Sequence, residues 1–458
     1  MTKKRLLIFG AVLTLLYGFL IGHPDGRTIS TWAYDLLSSI PAGQFRNFPA
    51  YTYAMHENAT NYTLFDNLLT ALMLLPLYLI DRLFTLSLSV YAYAYFEKIF
   101  IVLATILSAK LFYDLLLRIK IKKEDALLGV FIFLTSAIVQ LSVVGKGQID
   151  IYSLVFCLMA ANAFLDEKYV KMSLLFGLAI LIKPFPVLIV LCNLLLNIKT
   201  YKNRVFLYGI LTILPYGLDM LIRRILMPEY QKYSDLTEQV SKELFGATRF
   251  ESLFNVKLGG ISLFPASLIL IFLICFFIGM KEIKKPSDDL FYPALTYLSI
   301  AAFMSPTLYW FSVILPALII LLLNVENKNT LCFLSAVLNV GAILRIYGTE
   351  IKVMPSPRFT VWKDVYGFYP LAFLRDHILN VHEAIDAVGT AIFIVSLASM
   401  VVLAKSGIIY KSRSGKKAEN STVVAEGEDI ASSAIPEKIL MLLPAAVLVL
   451  DLIFRLLI

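Results

Sequence analysis

Three groups of residues carry the types and spacing that could do chemistry. Asp25 stands just past the first apolar run, in His23-Pro24-Asp25-Gly26-Arg27, and Trp32 and Asp35 follow it in the same polar stretch. A carboxylate held at the end of a rigid apolar helix is placed to take a proton from a hydroxyl. The same position also suits a cap for the next helix. Asp35, one turn beyond Trp32, reads more simply as a residue on a solvated face, with a substrate contact as the alternative. The second group is Gly145-Lys146-Gly147-Gln148-Ile149-Asp150, a turn between two apolar runs. Lys146 and Gln148 are candidate contacts for a hydroxyl or phosphate. Asp150 is either a further substrate contact or the cap of the helix it begins.

The third group is cationic. Lys183 interrupts an apolar run and is followed by Pro184 and Pro186. An ammonium at mid-membrane costs about 2.5–3.5 kcal/mol on insertion scales, a cost that snorkelling from near the surface would lower. Binding an anion and snorkelling therefore compete as readings. Arg223 and Arg224 are the other candidates for a phosphate, although Asp219 and Arg223, four residues apart, also suit an ion pair on one helical face. The four histidines show no metal-ligand spacing and read as surface residues, so no metal or cofactor is expected.

The elements that must position these groups are apolar helices. The chain has 458 residues, 59% hydrophobic and only 16% charged, with a mean hydropathy of +0.77. Runs at residues 6–21, 99–117 and 440–457 approach the roughly 20 apolar residues needed to cross a bilayer core. Spanning backbone must satisfy its own hydrogen bonds, so the class is an all-α polytopic transmembrane bundle. The net charge of +8 lies largely beside apolar runs, which argues for membrane orientation rather than nucleic acid. The four cysteines all fall inside apolar runs and read as packing residues.

Basic clusters mark the cytoplasmic side. They put the N-terminus and residues 118–123, 199–204, 281–285, 328 and 405–417 inside, and residues 22–65 and the turn at 145–150 outside. The expected path has roughly twelve to thirteen spans with long extracytoplasmic loops. Residues 66–80 are expected as an outer-face or re-entrant helix, and residues 172–198 as a pair bent near Lys183. Arg249, Arg345, Arg358 and Arg375 fall at or near the outer face, and Trp32, Trp310 and Trp362 at or outside that interface. Residues 1–405 are expected to form one catalytic core, 406–437 a disordered cytoplasmic linker, and 438–458 a last transmembrane helix.

Asp25 with Trp32-Ala33, the Gly147-Gln148-Ile149-Asp150 turn, and residues 177–186 with Lys183 between Gly177 and the prolines together resemble the GT-C glycosyltransferases. Those enzymes are integral membrane proteins that use polyprenyl-phosphate sugars, and the nearest likeness is to bacterial mannosyl- and hexosyltransferases. The likeness covers the first half of the chain. It implies inverting, usually metal-independent transfer with Asp25 as base, from a polyprenyl-phosphate-linked sugar to a glycan, glycolipid or protein at the outer face of a cell membrane. Many members pair a second acid with the first, or carry Tyr-x-Pro before the next helix. Here Asp25 stands alone, and Asn61-Tyr62-Thr63 occupies that place. The competing expectation is a multi-pass transporter or lipid-oligosaccharide flippase without transferase chemistry, which the broken segment at Lys183 favours.

Overall fold

A computed structural model describes residues 3–21, 23–56, 60, 62–233, 235, 256–303, 307–324, 328–353, 381–417 and 437–457. Arg249, Arg358, Arg375, Trp362 and most of the expected linker lie outside the described residues.

The chain folds as a predominantly helical, polytopic bundle. Among the described residues, six helices are long and apolar enough to cross a membrane, or seven if a pair bent by 47° counts as one span. Helix α1 (Lys3–Leu20) leads into α2 (Pro24–Ser39) and α3 (Phe48–His56), so the polar stretch after the first apolar run is largely helical. Pro24 starts α2 at a position where a missing N–H and a fixed φ are tolerated. Ile29, Trp32, Ala33, Leu36 and Leu37 then recur at helical spacing and are all buried.

Thr63 begins α4 (Leu64–Phe84) with a reciprocal cap, accepting from the Asp66 N–H at 3.1 Å while Asp66 accepts from its own at 3.3 Å. Length and composition alone would let α4 span. It packs along α2. Tyr62, just before α4, meets Trp32 edge-on at 5.4 Å, and Arg82, near its end, donates to Tyr34 at 3.3 Å.

Helix α5 (Val90–Arg118) is antiparallel to α1. Its third turn lies against the end of α1, where Lys98 donates to the Ile21 carbonyl, and its last residue, Arg118, donates to Asn162 at 2.9 Å and pairs with Asp166 at the far end of the bundle. Helix α6 (Lys123–Leu134) breaks into a π-helical segment, Ile138–Gly145, buried throughout. Then come α7 (Asp150–Leu165), α8 (Tyr169–Ile182), α9 (Pro186–Leu196), the short α10 (Ile198–Tyr201) and α11 (Val205–Leu226). Gly177 lets α8 meet α11 closely, since a Cβ there would stand 2.6 Å from the Thr212 carbonyl.

A two-stranded hairpin, Lys257–Leu258 with Ile261–Ser262, precedes α12 (Leu263–Lys281). Helices α13 (Asp288–Phe303), α14 (Leu315–Leu323), α15 (Lys328–Val353), α16 (His382–Lys417) and α17 (Glu437–Leu457) complete the described chain. The basic residues expected on one side do gather at one end, where Lys284 pairs with Asp289 at 2.6 Å, Lys328 with Asp125 at 3.6 Å and Lys405 with Asp288 at 3.8 Å.

Two expectations change. Several expected spans are short, broken helices in the middle of the bundle, such as α7, α8 and α9. Surrounded by protein, they need not satisfy lipid over their whole length. And α16 runs on to Lys417, so the start of the expected linker is helical. With no proline in that stretch, extending an established helix is easier than starting one.

Candidate active site

The site is assembled where α1 ends and the buried π segment turns into α7. His23 caps α2, its Nδ1 accepting from the Asp25 N–H at 3.1 Å. Asp25 therefore sits in the first turn of α2, at the positive end of the helix dipole. Its side chain is 40% exposed and 3.5 Å from the His23 imidazole. Across the junction, buried Gln148 donates from Nε2 to Asp25 Oδ2 at 2.8 Å. The cap of α2 is thus His23 and not Asp25, whose carboxylate accepts from Gln148 instead.

The turn reaches Asp25 because two glycines meet. Gly147 has φ +69, a left-handed conformation that disfavours a side chain, and a Cβ on it would stand 3.3 Å from the Gly26 Cα. A Cβ on Gly26 would stand 2.8 Å from the Lys146 carbonyl oxygen. Backbone touches backbone here.

Asp150 opens α7 at the other end of the turn, and Lys183 Nζ lies 3.5 Å from its Oδ2. Lys183 is the extended residue between α8 and α9, at φ −144 and ψ 134. The break there was expected, and it aims the ammonium back at the turn instead of along a helix. Lys183 also lies over the Tyr62 ring at 4.2 Å and the Tyr309 ring at 5.6 Å, and Lys146 lies over Tyr309 at 5.9 Å. Trp32 packs edge-on against Tyr62, and Phe185 stacks on Trp310 with centroids 3.8 Å apart. Burial raises the Tyr62 hydroxyl pKa and the Lys183 charge opposes that rise. One locus thus holds a half-exposed carboxylate with an amide donor, next to two ammonium groups set among aromatic rings. Such a set can take a proton from a hydroxyl and hold an anion beside it.

Of the residues expected to act, Asp25, Lys146, Gln148, Asp150, Lys183 and Trp32 come together. Asp35 does not. It lies ten residues along α2 from Asp25, about 15 Å at the helical rise, and it is buried, with the His56 Nε2 3.1 Å from its carboxylate. The solvated-face reading fails because α3 folds back over that face of α2. Burial raises the Asp35 pKa to about 6, against the pull of His56 and Thr52. The surface reading of the histidines fails for His23, whose side chain is largely covered as the cap of α2.

Arg223 is held by Asp219 at 2.7 Å and lies over the Tyr230 ring at 5.0 Å. Tyr230 in turn donates to the Tyr62 carbonyl at 2.6 Å, and Asp219 accepts from the Phe65 N–H at 2.9 Å. Arg223 therefore braces the loop that presents Tyr62. Arg224 is exposed on the outside of α11. Arg345 is buried in α15.

Sequence reasoning missed Tyr62, Tyr309, Glu97 and Lys98. Tyr62 was legible only by its place before α4, and Tyr309 carries no local signal, being brought in by long-range packing. Glu97 and Lys98 did carry one, a charged doublet at the start of an apolar run. Among the described residues no group of three His, Cys, Asp or Glu is placed to hold a metal ion.

No protein-family model matches the sequence, and no curated protein matches it. Among solved structures the chain is similar to ArnT from Cupriavidus metallidurans, crystallised bound to undecaprenyl phosphate. The identity is 13% and the TM-score 0.45, over 99% of this chain and 88% of that one. A likeness at that distance fixes neither family nor activity.

Proposed function

We propose that the protein is an integral membrane glycosyltransferase that moves a hexose, of the mannose or glucose class, from a polyprenyl-phosphate sugar to a glycan, glycolipid or protein acceptor on the outer face of a cell membrane. The observation that carries the reading is the contact of Asp25 with Gln148, one short turn from the Lys183–Asp150 pair. An acceptor hydroxyl attacks the anomeric carbon while Asp25 takes its proton. The bond from that carbon to the phosphate oxygen breaks, the lipid phosphate leaves with the electron pair, and the sugar configuration inverts. Gln148 holds the carboxylate in place, and Lys183 and Lys146 supply positive charge for the leaving phosphate. Arg223 is given no part, being committed to Asp219.

A second reading is favoured by the break between α8 and α9. A buried ion pair at an interrupted helix is a feature of transporters, and a lipid-sugar flippase would share it. Purified protein, a polyprenyl-phosphate hexose and a panel of hydroxyl acceptors separate the two. Glycosylated acceptor of inverted configuration, released with free polyprenyl phosphate, supports the transferase. Movement of intact donor across sealed vesicles with no covalent product overturns it in favour of the flippase.

A further inference from the structure

Lys98 lies in the third turn of α5, only 4% exposed, beside the equally buried Glu97 in an otherwise largely apolar helix. It donates to the Ile21 carbonyl, the first residue past the end of α1, and to the Gly145 carbonyl at 2.7 Å, the last residue of the π segment. Both are carbonyls at helix C-termini, where the last turn leaves acceptors without partners and the helix dipole is negative. One ammonium therefore closes two helix ends at once. Its stem also packs on the turn, since a Cβ on Gly147 would stand 3.4 Å from Lys98 Cε. The neighbouring Glu97, buried as well, accepts from the Ser30 hydroxyl of α2. Two adjacent residues of α5 thus grip α1, α2 and the turn.

The chain positions of the gripped atoms give this its meaning. Asp25 lies four residues after Ile21, and Gln148 lies three after Gly145. Fixing those two carbonyls on one ammonium fixes the points from which both side chains depart. We infer that Lys98 is a positioning residue, which sets the Asp25–Gln148 contact by drawing two helix C-termini onto one buried charge. Its effect on catalysis rests on the transferase reading above, whereas its effect on the turn does not.

The test uses the full chain in detergent with Gln148→Cys added, reading the rate at which that thiol reacts with a soluble thiol reagent. The four native cysteines are all buried and report any general loss of structure. Position 148 is itself buried and should label slowly. In Lys98→Met it should label about tenfold faster through local opening, with the native thiols still protected. Equal protection of position 148 in both proteins overturns the proposal. If Lys98→Met exposes the native thiols too, Lys98→Arg decides, because a longer planar cation cannot hold both carbonyls in the same geometry. Faster labelling at 148 alone then supports the inference, and unchanged labelling overturns it. With Gln148 intact, Lys98→Met should lower kcat about 100-fold with KM within about twofold, as expected when reacting groups are misplaced. A protein that transfers no sugar at all would remove the function and leave the labelling result standing.

Discussion

Gly26→Ala separates two expectations of opposite sign. By helix propensity alone, alanine in the first turn of α2 should stabilise by up to about 1 kcal/mol, partly through the unfolded chain. The packing says otherwise. The new methyl carbon would lie 2.8 Å from the Lys146 carbonyl oxygen and 3.4 Å from the Gly147 Cα. Neither neighbour is the free end of a flexible side chain, so α2 and the turn must separate by about half an ångström to restore van der Waals contact. The Asp25–Gln148 hydrogen bond, now 2.8 Å, would then pass about 3.2 Å, beyond the usual range for an N–H donor. Overpacking of this kind costs about 1–3 kcal/mol, so the thermal midpoint should hold or fall slightly. Transfer should fall by about 10- to 100-fold, because an ångström of misplacement is enough for that. The assay is steady-state transfer from a polyprenyl-phosphate hexose, with thermal unfolding of the same samples. The loss should shrink in a Gln148→Leu background, where the contact is already gone. Parental kcat in Gly26→Ala, or the same loss with and without Gln148, would refute the reasoning.

Three further outcomes follow from the same geometry. Lys183→Met should destabilise by about 3–5 kcal/mol, because it leaves Asp150 buried without its partner. Adding Asp150→Leu should restore the thermal midpoint without restoring transfer, and recovery of both would deny the pair a role in the reaction. Asp35 has a raised folded pKa, so the native state holds its proton more tightly than the unfolded chain does. Its stabilising contribution is full below about pH 4 and is lost as pH rises through about 6. The interval from 3.8 to about 6 is worth at most about 3 kcal/mol. Melts of Asp35→Asn and parent should therefore shift in favour of the variant between pH 4 and pH 7, and a pH-independent difference would contradict this. Finally, a cysteine at Arg27, exposed on α2, should react with an impermeant reagent outside intact cells, while one at Lys168 should not. The reverse pattern would place the site on the inner face.

The fold class was legible because composition decides it: a chain this apolar must close its backbone hydrogen bonds within helices. The break at Lys183 was legible for a local reason, two prolines just after a charge. Span count was not, because short interrupted helices such as α7 and α8 are covered by neighbours, and hydropathy does not report what covers a segment. Asp25, Gln148 and Lys183 could be picked out one by one, each a polar group at the edge of an apolar run. Their meeting depends on Gly26 against Gly147, a contact between segments more than a hundred residues apart. Asp35 misled because the amphipathic pattern of α2 shows one apolar face and gives no sign that α3 covers the other. Lys98 was visible in the sequence, but charges are common where a span meets the interface. Only its two carbonyl partners distinguish it.

The most direct measurement is a single-turnover comparison of the parent with Asp25→Asn, purified intact and given a polyprenyl-phosphate hexose with an acceptor. Asparagine keeps the shape and can still accept from Gln148, so the substitution removes little beyond the ability to take a proton. Donor binding should be unchanged, and the chemical step should slow by about 10²- to 10⁴-fold, the usual contribution of a general base. Transfer by Asp25→Asn at the parental rate would contradict the assignment.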